Sequence, residues 1–417
     1  MKRLIAISMF PLCIAASGGV GLRTLITHAQ NHNGDILAKD ALILSSQKAK
    51  EAEQSSYWPT VDIGASYSRV NPSTIVSPRD TATGFVSVGV DLYDGGRREA
   101  LIDAKSSELT RATYEKEALG KSITLRIIRN YYTEKTLEAM LQALYGEAKE
   151  LKAQLWRIRK FVKEGLATQE QADKLEAAYA AIRYKIENTK FNIETARQNL
   201  SLLSGLPVKK LASQRIREPR HIGFLPDEKS RILETTAQSI EANARALEAG
   251  YRPHVRLEDT YSRSHFSKSQ GLPGFDTDTF LPDHQNKLSL SVHMRLYDHG
   301  RIAKESEALR YKKLALQSQY TQSIKAQKMQ YHLAQKRLKT LRAKLQSASA
   351  SLKAAKSTYR AIRKKYEAGL VDDIAYLDAL NKMTLARARY KETHYEYEIA
   401  KAELYYSAGR DPKEYIR

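Results

Sequence analysis

His28 and His32 stand four residues apart in a stretch of helical periodicity, which would set two imidazoles on one face where a divalent metal could bridge them. No carboxylate or third histidine follows at a spacing that would complete a tetrahedral set, so the pair reads as surface residues and no metal is expected. Asp372 and Asp373 are adjacent carboxylates, but they open a helical stretch. Negative charge there favours the helix dipole and caps free N–H groups, and catalysis is not needed to account for them. The chain has no phosphate loop of the P-loop type and no nucleophile elbow. Its one cysteine, Cys13, follows Leu12, which is not the small residue a lipidation signal wants before its cysteine. Neither a catalytic residue nor a cofactor is expected, and the chain does not read as an enzyme.

The elements around these residues have a different purpose. Lys2 and Arg3 precede an apolar stretch from Leu4 to Ala16, and Ala15, Ala16, Ser17 and Gly18 are small, which is the pattern of an export leader cut somewhere between Ser17 and Gly21. Cys13 would leave with it. No long apolar run follows, so a place in a membrane would have to be taken by strands closed into a barrel. Glycine and proline are sparse, at 20 and 11 in 417 residues, and 28% of residues are charged, a profile that suits long helices. The formal net charge is +21. In a cytoplasmic chain that would suggest nucleic acid, but an export leader argues against it. The excess reads as Lys and Arg coating the solvent faces of helices, with a positively lined duct as the sharper alternative.

An internal duplication organises the chain. "SSYWPTVDIGASYSR" around Tyr57 returns as "AGYRPHVRLEDTYSR" around Tyr251, and "LYDGGR" at Leu92 returns as "LYDHGR" at Leu296. Gly165-Leu166 returns as Gly369-Leu370, and Gly205 as Gly409. From Leu92 to Gly205 one spacing holds without a gap, so the second copy's extra residues fall between its two strands. Each copy carries two stretches of period-2 alternation. Val61, Ile63, Ala65 and Tyr67 form one, Val86, Val88, Val90 and Leu92 another, and Leu288, Leu290, Val292, Met294 and Leu296 the cleanest; Asp259 spoils the apolar side of the remaining one. Alternation of this kind fits a barrel with lipid outside and water inside, or a soluble sheet with one wet face; the pattern alone leaves both open.

After each strand pair the period changes to the alternating three and four of a heptad seam. Leu137 to Val162 and Leu338 to Tyr366 run outward, Gly165 and Gly369 interrupt, and Ala172 to Leu203 and Tyr376 to Leu404 run back. The outgoing helices are expected to be roughly 65 residues, about 100 Å long. The expected division is a leader over 1–20, a helix over 21–56, a first β-hairpin over 57–94 and a first helical hairpin over 95–205 with its tip near 163–168. A linker over 206–227, a helix over 228–250, a second β-hairpin over 251–297, a second helical hairpin over 298–409 with its tip near 367–372, and a tail over 410–417 complete it.

This duplicated order, with "LYDGGR"/"LYDHGR" at the strand-to-helix junctions, "KEGLAT"/"EAGLVD" at the tips and "LLSG"/"YSAG" at the ends, resembles the TolC-like outer-membrane efflux proteins over nearly all of the mature chain. The resemblance implies a mainly helical fold with membrane strands. In it a homotrimer gives four strands per subunit to a twelve-stranded β-barrel in outer-membrane lipid, and its coiled-coil hairpins to a helical α-barrel. It implies an exit duct of a tripartite efflux or type I secretion system, docked on a periplasmic membrane-fusion adaptor bound to an inner-membrane pump of the RND, ABC or MFS type. Gly165, Leu166, Gly369 and Leu370 match the tip motif that meets the adaptor, and the glycines also suit a turn that needs positive φ. Tyr366 matches a tyrosine that helps hold the periplasmic end shut, and it also fits as a seam residue. Gln171 and Val371 stand where that latch would have an aspartate and an arginine, so other bonds would be needed. Asp378 matches an aspartate ringing the tunnel entrance, with Ala375 in place of its companion, which weakens any cation preference.

Two other readings stay open at this level. One is a periplasmic coiled-coil scaffold whose strands form a soluble sheet. The other is a basic nucleic-acid binder, whose affinity would fall steeply with salt.

Overall fold

The computed structural model describes residues 19–74, 77–220, 222–267 and 281–417. The proposed leader therefore lies outside the described residues, apart from Gly19 and Val20. So does the polar stretch 268–280 between the second pair of strands. The chain divides into two compact units, one made of the residues up to Ala38, Lys116–Glu228 and Ile324–Arg417, the other of Lys39–Glu115 and Lys229–Ser323.

Seven α-helices and four strands are described: α1 (Leu22–His32), α2 (Gly34–Ser55), β1 (Thr60–Arg69), β2 (Asp80–Tyr93), α3 (Arg97–Lys163), α4 (Gln169–Ser204), α5 (Glu228–Glu248), β3 (His254–Phe266), β4 (His284–His293), α6 (Arg301–Glu367) and α7 (Asp373–Ser407). Both α3 and α6 have 67 residues, so each is about 100 Å long. None of the described helices is apolar enough over its length to cross a membrane.

Two expectations need correcting. The stretch 21–56, read as one helix, is two, because Asn33 leaves the helical region. Its side-chain amide donates to the carbonyl of Leu203 at 3.0 Å, and its Oδ1 accepts from Asp35 N at 3.0 Å, which caps α2. The alternation read as far as Leu296 stops being strand at His293, since among the described residues β4 lies beside β3 alone and their pairing ends at His254–His293.

In the first unit the seam residues do bury. Leu144, Leu151, Leu155 and Ile158 of α3 pack with Leu175, Ile182 and Ile186 of α4 and with Tyr376, Leu380 and Met383 of α7. Each such side chain stabilises by about 1.5–3 kcal/mol on burial. A second core holds Leu22, Leu25 and Ile26 of α1 against Ile127, Ile128, Tyr131 and Tyr132 of α3. The linker 206–227 is fastened to this core. The buried pair Lys401–Glu398, at 2.7 Å, donates to the Ile216 carbonyl at 2.6 Å and accepts from the Ile216 N–H at 2.8 Å. Near the start of the described chain, Val20 N donates to the Lys210 carbonyl at 2.8 Å, which ties Gly19 and Val20 to the linker.

In the second unit the strands form one antiparallel sheet in the order β1-β2-β3-β4. The repeated LYD-G-R motif closes each strand-to-helix junction. Asp94 accepts from Gly96 N at 3.1 Å and Arg98 N at 2.8 Å, and Asp298 accepts from Gly300 N and Ile302 N, each at 3.0 Å. The aspartate, two residues before the N-cap glycine, thus satisfies free N–H groups at the start of α3 and of α6.

Candidate functional site: a two-faced sheet and two hairpin tips

The sheet's register keeps its alternation in phase across all four strands. Val61 pairs with Val88, Val88 with Asp259 and Asp259 with Leu288; Ile63 pairs with Val86 and Val86 with Tyr261; Val90 pairs with Leu257 and Leu257 with Leu290. Side chains directly opposite one another share a face, so the apolar residues gather on one side. That side is open, with Ile63 86% and Leu288 71% exposed. Asp259 stays on it, between Val88 and Leu288. The other side carries Asp62, Ser66, Ser87, Thr260, Ser262, Lys287 and Ser289. At the sheet's base Tyr57, Trp58, Tyr93 and Tyr297 are exposed, which is where aromatic rings sit at a membrane interface.

Two glycines on the polar side let large side chains lie flat. A Cβ at Gly64 would meet the Phe85 ring at 2.4 Å, and one at Gly89 would meet the Arg256 guanidinium at 2.5 Å. Arg256 is held down by Asp91 at 3.1 Å and Glu258 at 3.1 Å, and His254 also reaches Asp91 at 3.1 Å. Sequence reading missed this cluster, because its members come from two strands and only the register brings them together.

In the first unit both hairpin tips are built alike. Leu166 N donates to Phe161 O at 2.8 Å and Gly165 N to Val162 O at 3.1 Å; Leu370 N donates to Lys365 O at 2.8 Å and Gly369 N to Tyr366 O at 3.0 Å. This is the Schellman pattern, and it needs the positive φ that Gly165 (69°) and Gly369 (74°) supply. Leu166 and Leu370 follow the glycines and stand 72% and 74% exposed. The return helices start on caps, Thr168 with Gln171 in a capping box and Asp372 accepting from Ala375 N at 2.9 Å. Gln171 is therefore occupied in capping its own helix.

Tyr366 is stacked on Tyr376, with centroids 4.5 Å apart, and donates to Asp373 at 2.6 Å. Tyr376 in turn donates to Glu150 of α3 at 3.0 Å, and Arg363 of α6 stands 3.5 Å from the same carboxylate. Burial, helped by the Asp373 carboxylate, pushes the Tyr366 hydroxyl above its ordinary pKa, so it remains a proton donor. Tyr376 is pushed up as well, again mainly by burial. Glu150 therefore ties the first hairpin to the second near the tips. Sequence reading passed over it because one carboxylate among many on a long helix gives no signal. Asp378 lies outside this cluster, exposed and paired with Lys382 at 2.7 Å. His28 and His32 stack at 3.9 Å, and each hydrogen-bonds a backbone carbonyl. Among the described residues no three His, Cys, Asp or Glu side chains are grouped to hold a metal.

Comparison with known proteins agrees with this geometry. The family model for the outer membrane efflux protein matches residues 25–206 and 233–410, one match on each copy of the repeat. No curated protein sequence matches closely enough to count as a relative. Solved structures with the same fold include CusC, at 16% identity, covering 93% of this chain and 92% of that one with a TM-score of 0.79. They also include the outer membrane protein VceC from Vibrio cholerae, at 15% identity, 93% and 96% coverage and a TM-score of 0.77. The Campylobacter jejuni CmeC outer membrane channel is similar at 15% identity, 93% and 85% coverage and a TM-score of 0.78. With both copies of its repeat matched, the chain belongs to the outer membrane efflux protein family, whose members are transport ducts of the outer membrane rather than enzymes.

Proposed function

We propose that three copies of this chain pool their four strands, twelve in all, into one barrel whose apolar face meets outer-membrane lipid and whose polar face lines the duct. The observation that carries this reading is the phase of the sheet. Its valines, isoleucine and leucines gather on one open face, with Phe85 and Phe266 the large apolar side chains on the other, and among the described residues β1 and β4 are the edge strands. Four strands are too few to enclose a water-filled pore, and an exposed edge invites another strand, so sister chains are the natural partners. In this reading Gly165, Leu166, Gly369 and Leu370 present the hairpin tips to a periplasmic adaptor, which passes substrates from an inner-membrane pump. The exposed leucines offer the adaptor apolar anchors on a rigid backbone.

Tyr366 and Asp378 belong, in the same reading, to the periplasmic entrance. Glu150 takes the place of the missing latch partners, because it holds both Tyr376 and Arg363. Asp378 is partly neutralised by Lys382, so it supports only a weak preference for cations. The test is single-channel recording of the purified protein in planar bilayers. Glu150→Ala combined with Tyr366→Phe should raise the conductance several-fold, and a conductance equal to wild type would remove these residues from the latch. Recovery of the processed protein as a compact water-soluble monomer would end the barrel reading itself.

A further inference from the structure

A cavity of about 640 Å³ opens where the linker, the end of α7 and the last residues of the chain meet, all within the first unit. Four of its lining side chains are arginines: Arg217, Arg220, Arg410 and Arg417. Glu218, the one acidic side chain in its lining, is already engaged. It accepts from Arg342 at 2.8 Å and from the Tyr397 hydroxyl, and Lys401 stands 3.9 Å away. Among the described residues none of the four arginines has a carboxylate within ion-pair distance.

The walls are fixed. Arg217 N donates to Tyr415 O at 2.8 Å, and Arg215 and Arg417 exchange backbone hydrogen bonds at 3.3 and 2.9 Å. Leu225 N donates to Ala408 O at 3.0 Å. Tyr405 and Tyr415 stack at 3.6 Å and form a flat panel, and Tyr405 donates to the Arg217 carbonyl at 3.2 Å. Three separate segments, their backbones fixed to one another, therefore place four arginines around one space, and a scaffold that needs no folding on binding favours affinity. The volume falls in the range of small-ligand sites. Guanidinium forks match the two oxygens of a carboxylate or phosphate.

We infer that this cavity is a binding site for a ligand carrying at least two carboxylate or phosphate groups. The inference is independent of how the duct opens or which adaptor it meets. Two sources could present that chemistry between the membranes: a free small polyanion, or the stem-peptide carboxylates of the cell-wall polymer.

The experiment uses the full processed protein in detergent, with citrate as the soluble probe in titration calorimetry and isolated peptidoglycan in a sedimentation assay. Arg220→Ala/Arg410→Ala removes two arginines of the cavity, Arg220→Lys/Arg410→Lys keeps their charge, and Lys209→Ala/Lys210→Ala removes the same charge from positions of the same linker that do not line the cavity. Wild type and the lysine control should bind citrate equally. The alanine pair should bind at least about tenfold more weakly and the Lys pair several-fold more weakly, because an ammonium group lacks the fork. Sedimentation with peptidoglycan that follows the same order among the variants assigns the natural source to the wall, while citrate binding alone assigns it to a free anion. An equal loss in the alanine pair and the lysine control would reduce the effect to net charge and overturn the inference, as would failure of the wild type to bind either probe.

Discussion

Asp259 stands on the face that should meet lipid, and its replacement by leucine should stabilise the protein. It pairs with Val88 on one side and Leu288 on the other, so it has apolar neighbours in the register. Its depth can be worked out from the strand. Val88 is five residues from Tyr93, which lies at the exposed aromatic base of the sheet. At about 3.3 Å per residue that is roughly 16 Å along the strand, and at a tilt of about 40° roughly 13 Å of height. An apolar band about 25 Å tall puts this row near its middle. A Lys or Arg there costs about 2–4 kcal/mol and an acidic residue less, so Asp259→Leu should gain about 1–2 kcal/mol per subunit. The assay is urea unfolding in lipid vesicles, with the temperature of trimer dissociation in detergent as a second reading. Thr260→Leu, one residue along and on the polar face, is the control and should bring no gain. If Asp259→Leu destabilises while Thr260→Leu is stabilising, the two faces have been assigned the wrong way round.

Three further outcomes are expected. Val90→Arg places a cation between the rim and the middle of the same apolar face, opposite Leu257, and should cost about 1–3 kcal/mol and lower the yield of trimer, which a heat-modifiability gel would measure. Gly369→Pro demands φ near −65° where the chain has 74° and removes the Gly369 N–H that bonds Tyr366 O, so cross-linking of the tip to an adaptor should fall while trimer yield holds; unchanged cross-linking would remove this tip from docking. Glu147 is buried, and burial raises its carboxyl pKa more than its Thr384 hydrogen bond lowers it. Since the folded pKa is the higher one, the stability it contributes is present at acid pH and is lost as pH rises through that value. Glu147→Gln should therefore be close to wild type at pH 4 and more stable at pH 7; a difference that does not change with pH would disprove the linkage.

The fold was legible because period and punctuation repeat. Seam residues such as Leu144, Leu151 and Leu175 recur at helical spacing, Val86, Val88 and Val90 at strand spacing, and glycines mark the turns. What escaped was decided by contacts between distant segments. Asn33 breaks its helix because its side chain finds the end of α4, 170 residues away. Glu150 gains its place only when Tyr376 and Arg363 fold against it. The Arg256 cluster required a register, and the arginine cavity required the C-terminal end of the second repeat to fold back on the linker, neither of which is written in local pattern.

The charge excess also changes meaning once the register is known. A net charge of +21 suggested a duct lined by positive potential as one possibility. Within the four strands the polar face carries Asp62, Asp91 and Glu258 against Arg256 and Lys287, three negative groups to two positive. The basic excess therefore lies elsewhere than on the surface that would line the barrel. Arg256 is moreover clamped flat between two carboxylates over Gly89, so it offers the lumen little free positive charge. Three copies of this face would give a nearly neutral lining of hydroxyls and small residues, which holds no ion strongly. A passage of that kind suits a duct that has to release whatever its pump delivers, and it leaves the choice of cargo to groups outside the barrel.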